Sequence, residues 1–265
     1  MAVNYDPANI IETYDKYVEK CGKENVEERY VGNESWFHAS AAGMCVRRIY
    51  YESVEQAERT NPPNATSLRL MRLGTIVHDE LQDSLHYVNN IYNNNIDDNN
   101  IKEKSNYTKK KRFRFEVEQE IRIEELNVRG FLDVVAYSDD EVYLYDFKTA
   151  GAFPWKKMFG RDGNSTPPNH QQLQIGTYAY AVKEKYGRLD GINLMYYSKN
   201  TSVMKGVQVP LGVVTKAFAY WRNVKQKVEM GLPDFKHGSS PSEDWVCNYC
   251  PYLNHCDPPF KKGKR

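Results

Sequence analysis

Long apolar runs, a secretion signal and a strong net charge are all missing from this sequence. No stretch reaches the roughly 18 apolar residues that a membrane-spanning helix needs, and the start lacks a basic-then-apolar signal pattern. We therefore expect a soluble cytoplasmic protein with no membrane partner. The net charge of +1 gives no reason by itself to expect a nucleic-acid partner. Internal repeats and linker-like stretches are also absent from the sequence, which favours a single domain over residues 1–265.

The basic residues are nevertheless clustered, and aromatic residues stand beside them. Tyrosine alone occurs 20 times, and the local basic clusters read VRRIYY, YTKKKRFRF, PWKKMFGR and PPFKKGKR. Such clusters suit phosphate contact and base stacking. Any one of them taken alone is better explained as solvated surface charge.

The sequence contains five cysteines: Cys21, Cys45, Cys247, Cys250 and Cys256. Without a secretion signal we do not expect disulfides, so metal or cluster ligation is the leading explanation for the last three. Cys45 would supply a fourth ligand from far upstream. Four thiolates hold either zinc or an iron–sulfur cluster, and the spacing does not decide between them. His255 could replace one thiolate in a zinc site, and Cys21 is interpreted as a spare thiol.

Hydrophobic periodicity predicts an α/β chain. Helices are predicted over 7–19, 68–88, 169–186 and 213–229, and strands over 113–123, 128–137, 142–148, 191–199 and 202–211. A glycine- and proline-rich loop is predicted over 151–168, and a flexible asparagine-rich insertion over about 89–112. Within the single domain we distinguish three parts: an N-terminal segment, a core, and a C-terminal cysteine segment with a basic tail (1–60, 61–240 and 241–265).

One predicted hairpin, which joins the strands VRGFLDVVAY and VYLYDFK, brings two aspartates together. If it is symmetric about the Asp139–Asp140 bond, Asp133 faces Asp146 with Cβ atoms about 4.5–5.5 Å apart. The rest of this face is largely apolar, and two carboxylates there repel each other unless they share a proton or bind a cation. Lys148 points to the same side as Asp146 because strands alternate their faces. The hairpin therefore predicts a metal site with a lysine placed to contact a phosphate or to orient water.

A surface hairpin with a chance D-x-K tripeptide is the competing interpretation, and a one-residue bulge would spoil the register. The preceding GFLD and the register favour the site. His78, in GTIVHDEL, lies near an apolar helix stripe, where a packed core residue is commoner than a ligand. As a ligand it would favour manganese over magnesium. Glu118 and Glu120 could add a carboxylate, and they rank below the two aspartates.

Three polar residues in NHQQLQIGTYAYAV share one helix face: Gln171, Gln174 and Tyr178. They could hydrogen-bond a nucleic-acid strand or brace Lys148. A solvent-facing stripe explains the same pattern equally well.

Taken in order along the chain, six short motifs resemble those of RecB-like nucleases of the PD-(D/E)xK superfamily. They read AAGMCVRRIYY, GTIVH, GFLD, DFK, QIGTY and CNYCPYLNHC. Within that superfamily the sequence is most similar to iron–sulfur exonucleases: the CRISPR-associated RecB-like exonucleases, the AddB nuclease domain and phage-encoded relatives. The likeness runs from about Ser40 to Cys256. Each motif is short, but the ordered set is specific. The asparagine-rich insertion, and aspartate at 146 where many relatives carry glutamate, depart from the pattern.

The resemblance implies a fold, a set of site residues and two cofactors. The fold would be a restriction-endonuclease-like α/β core, with a central mixed sheet flanked by helices and an iron–sulfur staple joining the N- and C-terminal regions. Mn²⁺ or Mg²⁺ would be bound by His78, Asp133, Asp146 and the Phe147 carbonyl. Lys148 would be the catalytic lysine, with Gln174 and Tyr178 near it. A 4Fe–4S cluster would be bound by Cys45, Cys247, Cys250 and Cys256, and DNA would be contacted by Arg47, Arg48, Gln171, Gln174 and Tyr178.

The predicted activity is metal-dependent hydrolysis of DNA phosphodiester bonds, with exonuclease action on single strands or DNA ends in a bacterial or phage-infected cell. One alternative is an end-trimming nuclease subunit of a recombination or CRISPR-adaptation complex, bound to a partner protein or to copies of itself. An alternative of another class is a non-catalytic DNA-binding module stapled by zinc. The presence of Asp133, Asp146 and Lys148 argues against a non-catalytic module, because such a module does not need these three residues.

Overall fold

The computed structural model describes residues 8–30, 35–93, 112–236 and 244–256. These residues fall into two compact units, the first within Met1–Trp36, Met44–Ile76 and Gln226–Arg265, and the second within Phe37–Gly43 and Val77–Lys225. The prediction of a single domain with three parts stays a prediction. Most of the insertion predicted over about 89–112 lies outside the described residues. Across the described ranges, every helix is too short or too polar to cross a bilayer.

Six strands of the second unit form one mixed sheet: β1 (Phe37–His38), β2 (Arg114–Ile123), β3 (Val128–Tyr137), β4 (Val142–Ala150), β5 (Gly191–Ser198) and β6 (Met204–Val209). The path through the sheet is β1-β3-β4-β5-β6, and β2 also pairs with β3. The β1–β3 and β4–β5 pairs are parallel, whereas β2–β3, β3–β4 and β5–β6 are antiparallel. The predicted mixed α/β sheet and the β5–β6 hairpin are confirmed.

The β3–β4 hairpin has the predicted register. Val134 pairs with Tyr145, and Tyr137 pairs with Val142. The turn between them is closed by a hydrogen bond from the Ser138 amide to the Glu141 carbonyl. Val142 and Leu144 of β4 are buried, as the predicted apolar face requires. The hairpin is thus symmetric about the Asp139–Asp140 bond.

Seven α-helices are described: α1 (Ile10–Tyr30), α2 (Val46–Ser53), α3 (Ala65–Asn93), α4 (Ala152–Phe159), α5 (Asn169–Tyr186), α6 (Val213–Glu229) and α7 (Asp244–Asn248). The last two long helices, α5 and α6, have the predicted bounds, and Gly187 ends α5 in a left-handed conformation. The helices α1 and α3 both continue beyond their predicted ends. Helix α4 lies where a loop was predicted, and this prediction was wrong. Pro154 is tolerated there because the first turn of a helix has no internal partners for its N–H groups.

The core of the second unit lies between the sheet and its helices. Trp221 of α6 is completely buried, donates a hydrogen bond to Thr177 Oγ1 of α5 at 2.8 Å, and stacks on Phe37 of β1 with ring centroids 6.0 Å apart. These contacts tie both long helices to the sheet edge. Because tryptophan has the largest side chain and Trp221 is completely buried, it contributes strongly to the stability of the second unit.

The first unit joins α2 to the C-terminal cysteine segment. The Tyr51 hydroxyl donates to the His255 carbonyl at 2.9 Å. The backbone amides of Thr60 and Asn61 both donate to the Pro251 carbonyl, and the Asn61 side chain donates to the Cys250 carbonyl at 3.0 Å. The segment that contains Cys247, Cys250 and Cys256 is therefore held by backbone hydrogen bonds as well as by side-chain hydrogen bonds.

Candidate active site

The acidic pair lies where β3 and β4 begin to separate. The hydrogen-bonded ladder between β3 and β4, followed from the turn, ends at the Val134–Tyr145 pair, one position short of Asp133. From there Asp133 Oδ2 accepts a hydrogen bond from the Phe147 amide at 2.6 Å, so the carboxylate takes the place of a backbone acceptor. The beginning of β3 pairs instead with β1, through Val128 and Phe37. A carboxylate in this position is fixed by the backbone of the neighbouring strand.

Asp146 and Lys148 form a buried ion pair on β4. Only 1% of the Asp146 surface is exposed, and Lys148 Nζ lies 2.5 Å from its Oδ2. The same ammonium donates to Gln174 Oε1 on α5 at 3.1 Å. A buried carboxylate needs such a partner because removing a charge from water is costly.

The two carboxylates are close enough to interact strongly. Burial and the neighbouring charge of Asp146 raise the pKa of Asp133 to about 8, although Lys148 and the Phe147 amide both favour its ionised form. Without a bound cation, Asp133 therefore holds a proton at neutral pH. This is the first of the two solutions that the sequence predicted for opposed carboxylates, a shared proton or a cation.

The raised pKa of Asp133 predicts a pH-dependent stability. A carboxyl group whose pKa is higher in the folded than in the unfolded chain destabilises the fold increasingly as pH rises from its unfolded pKa, about 3.9, to its folded pKa, about 8. Asp133→Asn removes this effect and keeps an acceptor for the Phe147 amide. We expect its unfolding temperature in chelator to exceed that of the wild type by an amount that widens from about pH 5 to about pH 8, reaching at least about 2–4 °C.

Differential scanning fluorimetry across this pH range provides the measurement. Asp139→Asn, on the exposed turn of the same hairpin, is the matched control and should show a constant difference. A difference for Asp133→Asn that does not change with pH would contradict the raised pKa.

His78 of α3 stands beside the acidic pair. Its Nδ1 lies 3.7 Å from Asp133 Oδ2, and its ring meets the Phe147 ring edge-on at 5.9 Å. Burial and the positive charge of Lys148 lower its pKa, against the opposing influences of Asp146 and a hydrogen bond to the Phe147 backbone. The imidazole is thus kept neutral at neutral pH, which is the form that binds metal. The structure brings His78 together with both predicted carboxylates.

Helix α5 places Gln174 and Tyr178 next to Lys148. Gln174 accepts from the lysine and donates through Nε2 to the Tyr178 hydroxyl at 3.1 Å. Tyr178 is buried and reaches β3 because position 130 is glycine: a Cβ at Gly130 would lie 3.0 Å from the tyrosine ring and 2.7 Å from Ala39. The glycine of GFLD thus lets α5 approach the sheet closely. These contacts favour the bracing of Lys148 over a solvent-facing stripe.

The two lower-ranked glutamates of β2 have different environments. Glu118 lies between the Val117–Val134 and Gln119–Leu132 pairs, across from Asp133, and its charge also raises the pKa of Asp133. Its φ of 50° is in the left-handed region, which is strained for a residue other than glycine. Glu120 is instead paired with Arg129 at 2.6 Å and with Arg122 at 2.9 Å. Only Glu118 is therefore positioned to influence the acidic pair.

Two residues near the site were missed by the sequence analysis. Tyr196 of β5 is the in-register neighbour of Lys148, and burial and the charge of Asp146 raise its pKa. Its hydroxyl donates to Gln171 Oε1 at 2.6 Å, so Gln171 is engaged within the protein. His170, also on α5, has its pKa lowered by burial and by Lys148. No local pattern marks Tyr196, because its pairing with β4 joins segments far apart in sequence.

The donor set fits a hard divalent cation. Carboxylates from two strands interact electrostatically, and hard cations prefer such oxygen ligands. A neutral imidazole, whose nitrogen suits manganese, lies beside one of them. Within the described residues, however, no three His, Cys, Asp or Glu side chains stand in a ready-made metal-ligand arrangement. Lys148 is in contact with Asp146, and Asp133 carries a proton, so a cation would compete with both. The metal-ligand roles of His78, Asp133, Asp146 and Phe147 remain predictions.

The four cysteines of the second predicted site come together in the first unit. Cys45, Cys247, Cys250 and Cys256 all line one solvent-open pocket of about 490 Å³, and none of these four cysteines is in a disulfide. Burial raises the pKa of Cys250, and so do the nearby Cys45 and Cys247. Ligation by thiolates here would therefore release protons. Within the described residues these thiols, too, do not stand in a ready-made metal-ligand arrangement, so their ligation of zinc or an iron–sulfur cluster stays a prediction.

The residues around this pocket also bear on earlier predictions. Arg47 and Arg48 line it as well, and Arg47 donates to the Pro233 carbonyl at 2.8 Å and to the Tyr51 hydroxyl at 3.2 Å. Their predicted role in DNA binding stays a prediction. The His255 ring nitrogen Nε2 lies 2.7 Å from the Glu58 carbonyl oxygen, and the role of this histidine as a zinc ligand in place of a thiolate stays a prediction.

The mixed sheet, with its acid–lysine site, defines an α/β protein. The crystal structure of SSO0001 is similar over 96% of this chain and 99% of that chain, with a TM-score of 0.52 and 17% sequence identity, which shows the shared fold alone. The crystal structure of an alkaline exonuclease (LHK-Exo) from Laribacter hongkongensis matches 78% of this chain and 94% of that chain, with a TM-score of 0.47 and 10% identity, too weak a likeness to carry an argument.

Comparison with sequences gives the family. A search of curated proteins gives no significant match. The family model described as the PD-(D/E)XK nuclease superfamily matches residues 35–257. The chain therefore belongs to the PD-(D/E)XK nuclease superfamily.

Proposed function

We propose that this protein is a metal-dependent DNA exonuclease that hydrolyses phosphodiester bonds in single strands or at DNA ends. The observation that carries the proposal is the convergence of Asp133, Asp146 and Lys148 at one buried position of the sheet. Two buried carboxylates that repel each other destabilise a fold, so their presence beside a lysine is best explained by a catalytic role.

Four groups would hold the metal: the Asp133 and Asp146 carboxylates, the His78 imidazole and the Phe147 carbonyl. When bound, Mn²⁺ or Mg²⁺ supplies positive charge that stabilises the transition state and lowers the pKa of a water molecule. Asp133 has to lose its proton before it can act as a ligand, so metal binding should be weaker below about pH 8.

Lys148 would contact the scissile phosphate. Its ammonium is held by Asp146 and by Gln174, and Gln174 is held in turn by Tyr178. This support limits the freedom of a long side chain, and a charge fixed in advance stabilises a transition state more effectively than a mobile one. We therefore assign Gln174 and Tyr178 to positioning the lysine.

The cysteine pocket is proposed to hold a structural 4Fe–4S cluster that links α2 to the C-terminal segment. Support comes from the four cysteines that line one pocket without forming disulfides and from the motif order that resembles that of iron–sulfur RecB-like nucleases. The positive charges of Arg47 and Arg48, which line the same pocket, would offset part of the negative charge of four thiolates. No redox step is required for phosphodiester hydrolysis.

A cleavage assay with controlled metal tests the proposed activity. Protein purified anaerobically and treated with chelator is mixed with end-labelled single-stranded, linear duplex and closed circular DNA. We expect no cleavage in chelator, and release of short products from linear single strands or ends when Mn²⁺ or Mg²⁺ is added. Closed circles should stay intact, because an exonuclease needs an end. Cleavage that persists in chelator would contradict a metal-dependent mechanism, and nicking of circles would indicate an endonuclease.

A further inference from the structure

Helix α4 begins four residues after Lys148 and presents a strongly exposed aromatic side chain. Phe153 is 79% exposed, more than any other aromatic side chain whose exposure the structure describes. An isolated exposed apolar residue is ordinary on a protein surface. Phe153, however, is close in the chain to the predicted catalytic lysine, Lys148, which indicates a role in substrate binding.

Positively charged residues extend the same helix face. Lys156 and Lys157 are exposed and follow Phe153 by three and four residues, which places them one helical turn further along the same side. Arg161 is exposed just beyond the end of the helix, and Asp162 next to it is the one acidic residue in this stretch. The surface formed by Phe153, Lys156, Lys157 and Arg161, called here the α4 surface, therefore combines an aromatic ring with three cations.

The opposite side of α4 packs against the sheet, next to the candidate active site. Phe159 packs against Trp155 with ring centroids 4.7 Å apart, and edge-on against Tyr196 at 5.5 Å. Tyr196 is the in-register neighbour of Lys148 on β5. Lys205 of β6 covers the aromatic pair, with Nζ 5.1 Å from the Phe159 ring centre. These contacts show that α4 already has a packed face, so the exposed Phe153 belongs to a separate, outward surface.

The chemistry of the α4 surface matches single-stranded nucleic acid. Proteins that bind single strands combine cations along the phosphate backbone with aromatic rings on which unpaired bases stack. In a duplex the bases stack on one another and leave no free face for Phe153, except at a frayed end. A partner with no stacking groups, such as an acidic peptide, would use the cations and leave the ring unused.

We propose that the α4 surface binds single-stranded DNA next to the carboxylates, with Phe153 stacked on an unpaired base and the three cations on neighbouring phosphates. This inference rests on the proposed nuclease function and adds how its substrate is held. It also gives a physical reason for a preference for single strands or frayed ends over intact duplex.

Binding measured without cleavage tests the proposal. In chelator, fluorescence anisotropy reports the Kd of the full chain for a labelled single-stranded oligonucleotide and for a hairpin duplex of the same length. Phe153→Ala should raise the Kd for the single strand about 5- to 100-fold and leave the Kd for the duplex within about twofold. Phe153→Trp should retain tight binding. Tyr87→Ala, which removes another exposed aromatic, is the matched control and should behave as the wild type.

The lysines are tested through the salt dependence of binding. Lys156→Gln combined with Lys157→Gln should lower the slope of log K against log salt by about 1.4 for the single strand, since each lost phosphate contact accounts for about 0.7. A 2-aminopurine base in the oligonucleotide should be quenched by the wild type and not by Phe153→Ala. Circular dichroism verifies that each variant is folded.

The outcomes separate this inference from the proposed function. If the wild type cleaves DNA with metal but Phe153→Ala binds single strands as tightly as the wild type, the α4 surface is not the binding surface and the nuclease function stands. Equal losses for single strand and duplex would also overturn the stacking role. If the wild type neither binds nor cleaves DNA, the proposed function itself is wrong.

Discussion

Asp146→Asn is expected to reduce metal-dependent DNA cleavage by at least about a thousandfold. Asp146 is buried, pairs with Lys148 at 2.5 Å and interacts with Asp133, so its charge organises both the cation site and the lysine. Asparagine keeps the size of the side chain and removes that charge. The measurement is the initial rate of nucleotide release from end-labelled DNA at saturating Mn²⁺.

Two further variants make this result specific. Lys148→Met removes the ammonium and retains most of the packing volume, and a loss of about a hundredfold or more is expected. Asp139→Asn changes an exposed aspartate of the same hairpin, several residues from the site, and should retain the wild-type rate. An unchanged rate in Asp146→Asn or Lys148→Met would remove the basis for the proposed function. Unfolding temperatures in chelator show whether any loss of rate results from misfolding.

Cys250→Ser is expected to have the largest effect on the stability of the protein. The thiol lines the pocket shared with Cys45, Cys247 and Cys256, and ligation there would link α2 to the C-terminal segment. Metal or cluster binding to such a site adds directly to the folding free energy. A 4Fe–4S cluster would colour the protein brown, so loss of one ligand should abolish this colour. It should also lower the unfolding temperature by about 10 °C, which corresponds to a few kcal/mol for a chain of this size.

Cys21→Ser provides the matched control. Cys21 lies on α1 and is not among the residues that line the pocket, so the variant should keep the colour, the iron content and the unfolding temperature of the wild type. Analysis of iron, acid-labile sulfide and zinc in the anaerobically purified wild type identifies the bound species. A colourless wild type with one equivalent of zinc would contradict the cluster and leave the four-cysteine site as a zinc staple.

The hairpin with the acidic pair was predictable because its information is local. Alternating residues in VRGFLDVVAY and VYLYDFK define two strands, and the short turn between them leaves one register that buries Val142 and Leu144. That register places Asp133 and Asp146 at neighbouring positions. The exact contact differs from simple opposition, since the ladder ends before Asp133 and its carboxylate accepts from the Phe147 amide.

Helix α4 shows how local signals mislead. The glycines and prolines spread over residues 151–168 predict a loop, but Pro154 falls in the first helical turn, where it removes no internal hydrogen bond. The helix is stabilised by Trp155 and Phe159, which pack against each other under Lys205, and Phe159 also packs on Tyr196. These partners lie on β5 and β6, so the helix depends on tertiary contacts that its own sequence does not reveal.

By itself the sequence determined the order of helices α1, α3, α5 and α6 and of strands β2 to β6, the register of the β3–β4 hairpin and the order of motifs that carry the resemblance, because each depends on residues close together in the chain. Only the tertiary structure decided which side chains surround the site. The parallel β4–β5 pair brings Tyr196 beside Lys148, and Glu118 lies across from Asp133 with a strained backbone. The physical reason is that these contacts depend on how separate segments pack, and burial sets their pKa values only after that packing has formed.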